Sequence, residues 1–222
     1  MAINATPAPR ASKPETPHFA FVKEYIRELS AIQDIRDSAG KDVEQHQGKD
    51  TELISDGIHF CTLMQLERRS QIGMLQHMRL DAPFDDLIPM IIKAYSHEIE
   101  LQQQLIDTST VFMGGPIPGV DFAKVAAEMP QIRAKLEYVE RTLFESTPMV
   151  FMTLINMKGS PSSRADRLVI TRAERAELLA DLTNDFGTKL DQKEKTFTLG
   201  SAALLRSALK KGYKCSDEPG TN

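Results

Sequence analysis

The sequence has no tryptophan, only four tyrosines and only two cysteines in 222 residues. Two cysteines, Cys61 and Cys215, cannot build the disulfide framework on which small secreted domains depend. No histidine lies at a motif distance from either, so neither reads as half of a nucleophilic pair. Long apolar runs are missing too: none approaches the ~20 residues needed to cross a bilayer. The opening MAINATPAPRASKPETP lacks the apolar centre of a secretion signal. These gaps predict a cytoplasmic protein with no membrane span. Charge of one sign is also scarce. With 27 basic and 31 acidic residues the net charge is −4, which gives no pull toward nucleic acid, and no nucleic-acid partner is expected.

What the chain does have is ten methionines and many Leu, Ile and Ala. Unbranched side chains lose little rotamer freedom in a helix, so the palette favours helices. At 41% hydrophobic and 26% charged, the balance is that of a globular chain rather than a disordered one.

Residues 1–16 carry no period and read as a disordered tail. Thr16-Pro17 then resembles a helix cap followed by proline at the first helical position. Val22, Ile26, Leu29, Ile32 and Ile35 recur at steps of three and four, and Ser38-Ala39-Gly40 supplies a glycine stop. Lys41 to Lys49 reads as a linker or frayed turn. A second helix begins near Asp50 or Thr51, with Ile54, Ile58, Cys61 and Met64 in one stripe and Ile72, Leu75 and Met78 in another. Between them Glu67-Arg68-Arg69-Ser70-Gln71 is polar all round, so the helix is either exposed there or broken. Asp81-Ala82-Pro83 is a turn.

The third helix carries Leu87, Ile88, Ile91, Tyr95, Ile99 and Ile106 on its apolar side, with Asp85 and Asp86 in its first turn and Pro89 tolerated there. Gly114-Gly115-Pro116-Ile117-Pro118-Gly119 ends it. Pro130 opens a fourth helix bearing Ile132, Leu136, Val139 and Leu143, which Pro148 should kink. The segment from Phe144 to Met157 is apolar almost all round. A strand competes for that run, but helical pattern on both sides favours a helix at the bundle centre or in a subunit interface. Lys158 to Ser163 is a loop. Thr171-Arg172-Ala173-Glu174 fits a capping box opening a fifth helix with Leu179, Leu182, Phe186 and Leu190. A sixth carries Ala202, Leu205, Ala208 and Leu209 and ends at Gly212. The sum is an all-α, up-and-down bundle of five or six helices: one domain over 17–212 between a disordered tail and a flexible tail over 213–222.

A di-iron carboxylate site would need Glu-x-x-His on two helices and a further Glu from two others. The chain offers Asp56-x-x-His59 and, reversed, His97-x-x-Glu100. Pairing the second and third helices about Ala82 leaves the two histidines about 12 Å apart along the axis, too far for one ion. No metal, cofactor or catalytic residue is therefore assigned. Cys61 lies in an apolar stripe, where desolvation makes a thiol inert, whereas Cys215, beside Lys214, reads as accessible. The apolar loop Val111 to Val120 either plugs the end of the bundle or serves as a lid or docking loop. Arg164, Arg167, Arg172 and Arg175 form one basic cluster, diluted by acidic neighbours. Arg206, Lys210, Lys211 and Lys214 suit a helix C-terminus. The balance favours action through helix-mediated protein–protein interaction or self-association, with a small apolar ligand, cofactor or metal between the helices as the alternative.

Overall fold

The computed structural model describes residues 17–80, 86–114, 118–156, 170–192, 196–210 and 215, with the backbone alone for 17 and 145–156. Among these residues the chain forms six α-helices and no strand: α1 Pro17–Gln45, α2 Asp50–Leu75, α3 Leu87–Met113, α4 Phe122–Asn156, α5 Arg172–Phe186 and α6 Phe197–Lys210. A short 3-10 turn at Gly187–Asp191 follows α5.

The arrangement is an up-and-down bundle. α1 packs on α2, α2 on α3 and α3 on α4, and α6 closes the ring against α4 and α1. α5 packs on α1 and α6. The period of α1 puts Val22, Ile26, Leu29 and Ile32 wholly inside, and that of α6 does the same for Ala202, Leu205, Ala208 and Leu209. Fully burying one such leucine or isoleucine stabilises by about 1.5–3 kcal/mol. Two apolar clusters result. The larger gathers these residues with Leu75, Ile88, Ile91, Leu143, Leu178, Leu182 and Phe186. The smaller, Cys61, Leu101, Leu105, Ile132 and Leu136, lies among α2, α3 and α4.

Helix ends differ from the sequence pattern where polar residues carry the helix further than apolar spacing shows. α1 runs through Gly40 to Gln45 rather than stopping at the glycine. Gly40 is exposed, and an exposed helical glycine costs only about 1 kcal/mol. The chain turns instead at Gly48, whose φ of 79° suits glycine, and the His46 imidazole lies 2.7 Å from Asp56 across that turn. α2 starts at Asp50, as its sequence indicates, and ends at Leu75, so Met78 lies beyond it. Asp86 stands at the start of α3 without a side-chain capping bond.

α4 begins at Phe122, eight residues before Pro130, because Asp121 caps it: its Oδ1 accepts from the Lys124 N–H at 3.1 Å. The helix continues through Pro148 to Asn156, so the run after Phe144 is helical and not a strand. The capping box of α5 is formed in both directions, Glu174 N–H to Thr171 Oγ1 at 3.2 Å and Thr171 N–H to Glu174 Oε2 at 2.7 Å. The turn at 81–83, the loop at 158–163, Gly212 and both tails except Cys215 lie outside the described residues.

Candidate functional site

A polar layer crosses the apolar interior, and Arg68 is at its centre. The stripe of α2 steps from Cys61 and Met64 to Arg68, Gln71 and Leu75, all of them buried. The segment Glu67–Gln71 is therefore neither a break nor an exposed turn; Arg68 and Gln71 face inward because partners await them. The Arg68 Nε donates to Glu98 Oε2 on α3 at 2.7 Å. Its Nη1 donates to Glu28 Oε1 on α1 at 2.5 Å and to Gln71 Oε1 at 2.8 Å. The guanidinium lies over the Tyr95 ring, 4.2 Å from its centroid, and within 5.8 Å of the Phe144 centroid. The Tyr95 hydroxyl donates to the same Glu28 oxygen.

Gln102 Nε2 donates to Glu98 Oε1 at 3.0 Å, and Arg36 Nη2 on α1 donates to Glu140 Oε2 on α4 at 2.6 Å. Within this network Arg68 Nη2, Gln102 Oε1 and Arg36 Nε are buried with no partner among the described residues. On α3 the inner face thus runs through Glu98 and Gln102, while Ile99 and Ile106 are only half-buried.

Burial sets the charge states. It pushes the Glu98 carboxyl up to about 7; Arg68 opposes the shift and Glu140 adds to it. Burial likewise raises Glu28, against the pull of Arg68 and the Tyr95 hydrogen bond. Burial works against the Arg68 charge, but Glu98, Tyr95 and Glu28 outweigh it and keep the guanidinium protonated. Tyr95 is held well above its ordinary value by burial and by Glu28.

The layer is closed. The space beside Glu28, walled by Phe21, Tyr25, Ile91 and Tyr95, amounts to about 10 Å³, room for one water and no substrate. Groups of the kind that do acid–base chemistry are engaged with one another inside it.

The second feature is open. A groove of about 510 Å³ runs between α3 and α4, floored by Leu87, Ile91, Ala94, Val139 and Leu143. Met90 and Tyr138 stand on its two lips at 67% and 72% exposure, unusually high for large apolar side chains. Lys93, His97 and Thr142 complete the rim. Ile91 belongs to both features: it floors the groove and walls the space beside Glu28.

The residues singled out from the sequence do not converge. His59 is exposed, and Asp56 pairs with His46 rather than with it. His97 is exposed and sits 3.5 Å from Glu100. Because Arg68 faces Glu98, His59 lies opposite position 107, ten residues past His97 and so about 15 Å along the axis. Among the described residues no group of three or more His, Cys, Asp or Glu side chains is placed to hold a metal ion.

Cys61 is buried, and burial pushes its thiol up to about 11. Cys215 is 1% exposed, which overturns its reading as an accessible thiol; a cysteine side chain packs as a small hydrophobe. Across the connection from α3 to α4, Phe112 packs edge-on against Phe122 with centroids 6.0 Å apart. Met113, Gly114, Pro118 and Gly119 are exposed, so these residues do not plug the core. Arg206 pairs with Asp191 at 2.6 Å, and Arg172 and Arg175 are likewise engaged. Arg164, Arg167, Lys211 and Lys214 lie outside the described residues. No family model, curated protein or solved structure matches the chain.

Proposed function

We propose that the chain acts by helix-to-helix docking rather than by catalysis, and that the docked partner is a second copy of itself seated on the α3–α4 face. The observation that carries this reading is the groove with Met90 and Tyr138 on its lips. One face presents both a slot and the bulky apolar knobs to fill one, so it is complementary to itself under a two-fold axis. Such a contact sets each lip against the opposite lip of the other copy, bringing Lys93 of α3 toward the α4 side that carries the exposed Glu137. Met and Tyr are residue types enriched in interface cores.

Sedimentation equilibrium tests it. The wild type is expected at twice the 24.8 kDa of one chain. Met90→Glu combined with Tyr138→Glu is expected at one chain mass with its helical spectrum intact. A wild type that stays monomeric at the highest attainable concentration overturns the reading.

One observation favours a second reading, a small apolar ligand in the groove: its volume falls within the ~300–1,000 Å³ of ligand pockets. A monomeric wild type that takes up an apolar fluorescent dye, and an Ala94→Trp variant that does not, would select this alternative.

A further inference from the structure

The polar layer is unbalanced in charge, and this holds whatever occupies the groove. Glu28 and Glu98 both face the single guanidinium of Arg68, and all three side chains are sealed from solvent. Glu140, the next carboxylate, is already taken by Arg36. In a medium that screens poorly, two carboxylates sharing one cation favour the uptake of a proton. The two are not equally served. Glu28 Oε1 accepts from both Arg68 and Tyr95. Glu98 Oε1 accepts only from the Gln102 amide, whose own oxygen is buried without a partner among the described residues. Turning that amide about its last bond brings its oxygen to Glu98 Oε1, where it accepts a proton held there.

We propose that the layer is a one-proton lock: the bundle closes fully with a proton on Glu98, and losing it leaves two carboxylates against Arg68 and loosens α3 from α1 and α2. The groups acting on Glu98 are Glu28 from α1, Arg68 from α2 and Glu140 from α4, with Gln102 on its own helix; behind them Tyr25 lies near Glu28 and Arg68, Tyr95 bonds Glu28, and Arg36 holds Glu140. His97, its neighbour in sequence, is exposed. The upward shift of Glu98 puts the transition near neutrality. A carboxyl with a raised folded-state value favours folding while protonated. Stability therefore declines as pH climbs from the unfolded value near ~4.3 through the folded one.

The test is melting temperature against pH for the wild type and Glu98→Gln. The amide keeps the shape and the oxygen that accepts from Arg68 but cannot lose a proton. The wild-type Tm is expected to fall by about 5–10 °C between roughly pH 5.5 and 8.5. Glu98→Gln should lack that component and melt at or above the wild type at the alkaline end. Subtracting the two curves removes the histidines common to both. Equal pH slopes overturn the proposal.

If Glu98→Gln does not fold, the wild type decides by infrared spectroscopy in deuterated buffer. A protonated-carboxyl band present at about pH 6 and gone by about 8.5 supports the lock; its absence at both overturns it. Neither readout depends on oligomeric mass, so failure here and failure of the docking reading are distinguishable.

Discussion

Arg68 and Glu98, thirty residues apart in the chain, meet across α2 and α3 at 2.7 Å with neither side chain exposed to solvent. Burying the guanidinium and the negative charge held by Glu28 and Glu98 costs several kcal/mol for each ion, and their attraction repays it only when the geometry is good and the remaining donors are occupied. Here Glu28, Gln71 and the Tyr95 ring occupy most of what Arg68 has left. The pair therefore adds little net stability over an apolar substitute, but breaking it is severe. Arg68→Met should cost about 3–5 kcal/mol in urea unfolding, because it strands Glu28 and Glu98. Adding Glu28→Gln and Glu98→Gln to that variant should recover most of the loss. A single mutant as stable as the wild type would show that the layer is not charged as described.

Much of the bundle was legible in the sequence, and the polar layer was the part that was not. The inner face of α6 could be read because Ala202, Leu205, Ala208 and Leu209 are apolar at helical spacing, and all four are buried. The α5 start was legible because a capping box is a local interaction. Arg68, Glu98 and Gln102 occupy the same kind of position, yet a pattern search assigns polar residues outward. Arg68 and Glu98 are compensated by each other across two helices, and Gln102 by Glu98, which periodicity within one segment does not register. The signal was still there: Arg68 is four residues past Met64 and three before Gln71, in step with the stripe. The groove was hidden for a related reason. Met90 and Tyr138 fall outside the apolar stripes of the third and fourth helices, and only the packing of α3 on α4 shows the groove that they flank.

The cysteines offer a direct check on burial. Cys61 and Cys215 are 7% and 1% exposed, and the Cys61 thiol is raised by burial. A thiol so placed is both shielded and protonated at neutral pH. A chromogenic disulfide reagent should thus label neither residue rapidly in the native protein and both in denaturant. Prompt native labelling of one thiol, mapped to Cys215, would show that the chain end leaves its site.

Core and surface leucines should separate sharply. Leu182 is fully buried, while Leu66 is 60% exposed although it lies on a central helix. Leu182→Ala should cost about 2–5 kcal/mol through lost burial and the cavity left behind. Leu66→Ala should stay within about 0.5 kcal/mol. Comparable losses at both sites would show that Leu66 is covered by something the single chain does not supply.

The capping box of α5 should be worth about 1 kcal/mol, so Thr171→Ala should lower the urea midpoint modestly, with Thr171→Ser retaining most of the stability. The serine hydroxyl can accept from the Glu174 N–H as threonine does. If both variants unfold at the wild-type midpoint, α5 frays independently of the bundle.

Pro130 tests the start of α4. It sits eight residues inside a helix that Asp121 caps, on an exposed face. A proline there has no N–H to offer the carbonyl one turn earlier, and its ring crowds that carbonyl, at a cost of about 3 kcal/mol relative to alanine in a helix interior. Part of that cost is offset because proline also restricts the unfolded chain. Pro130→Ala should consequently stabilise the protein, by about 1–2 kcal/mol, and raise the helical signal rather than lower it. Asp121→Ala should act in the opposite sense by removing the acceptor for the Lys124 N–H. If α4 instead began at Pro130, the proline would occupy the first turn, where its missing N–H costs nothing. Pro130→Ala would then be neutral or destabilising, and Asp121→Ala would be silent. The two substitutions read together therefore locate the helix start, and opposite signs are the outcome expected of an α4 that begins at Phe122.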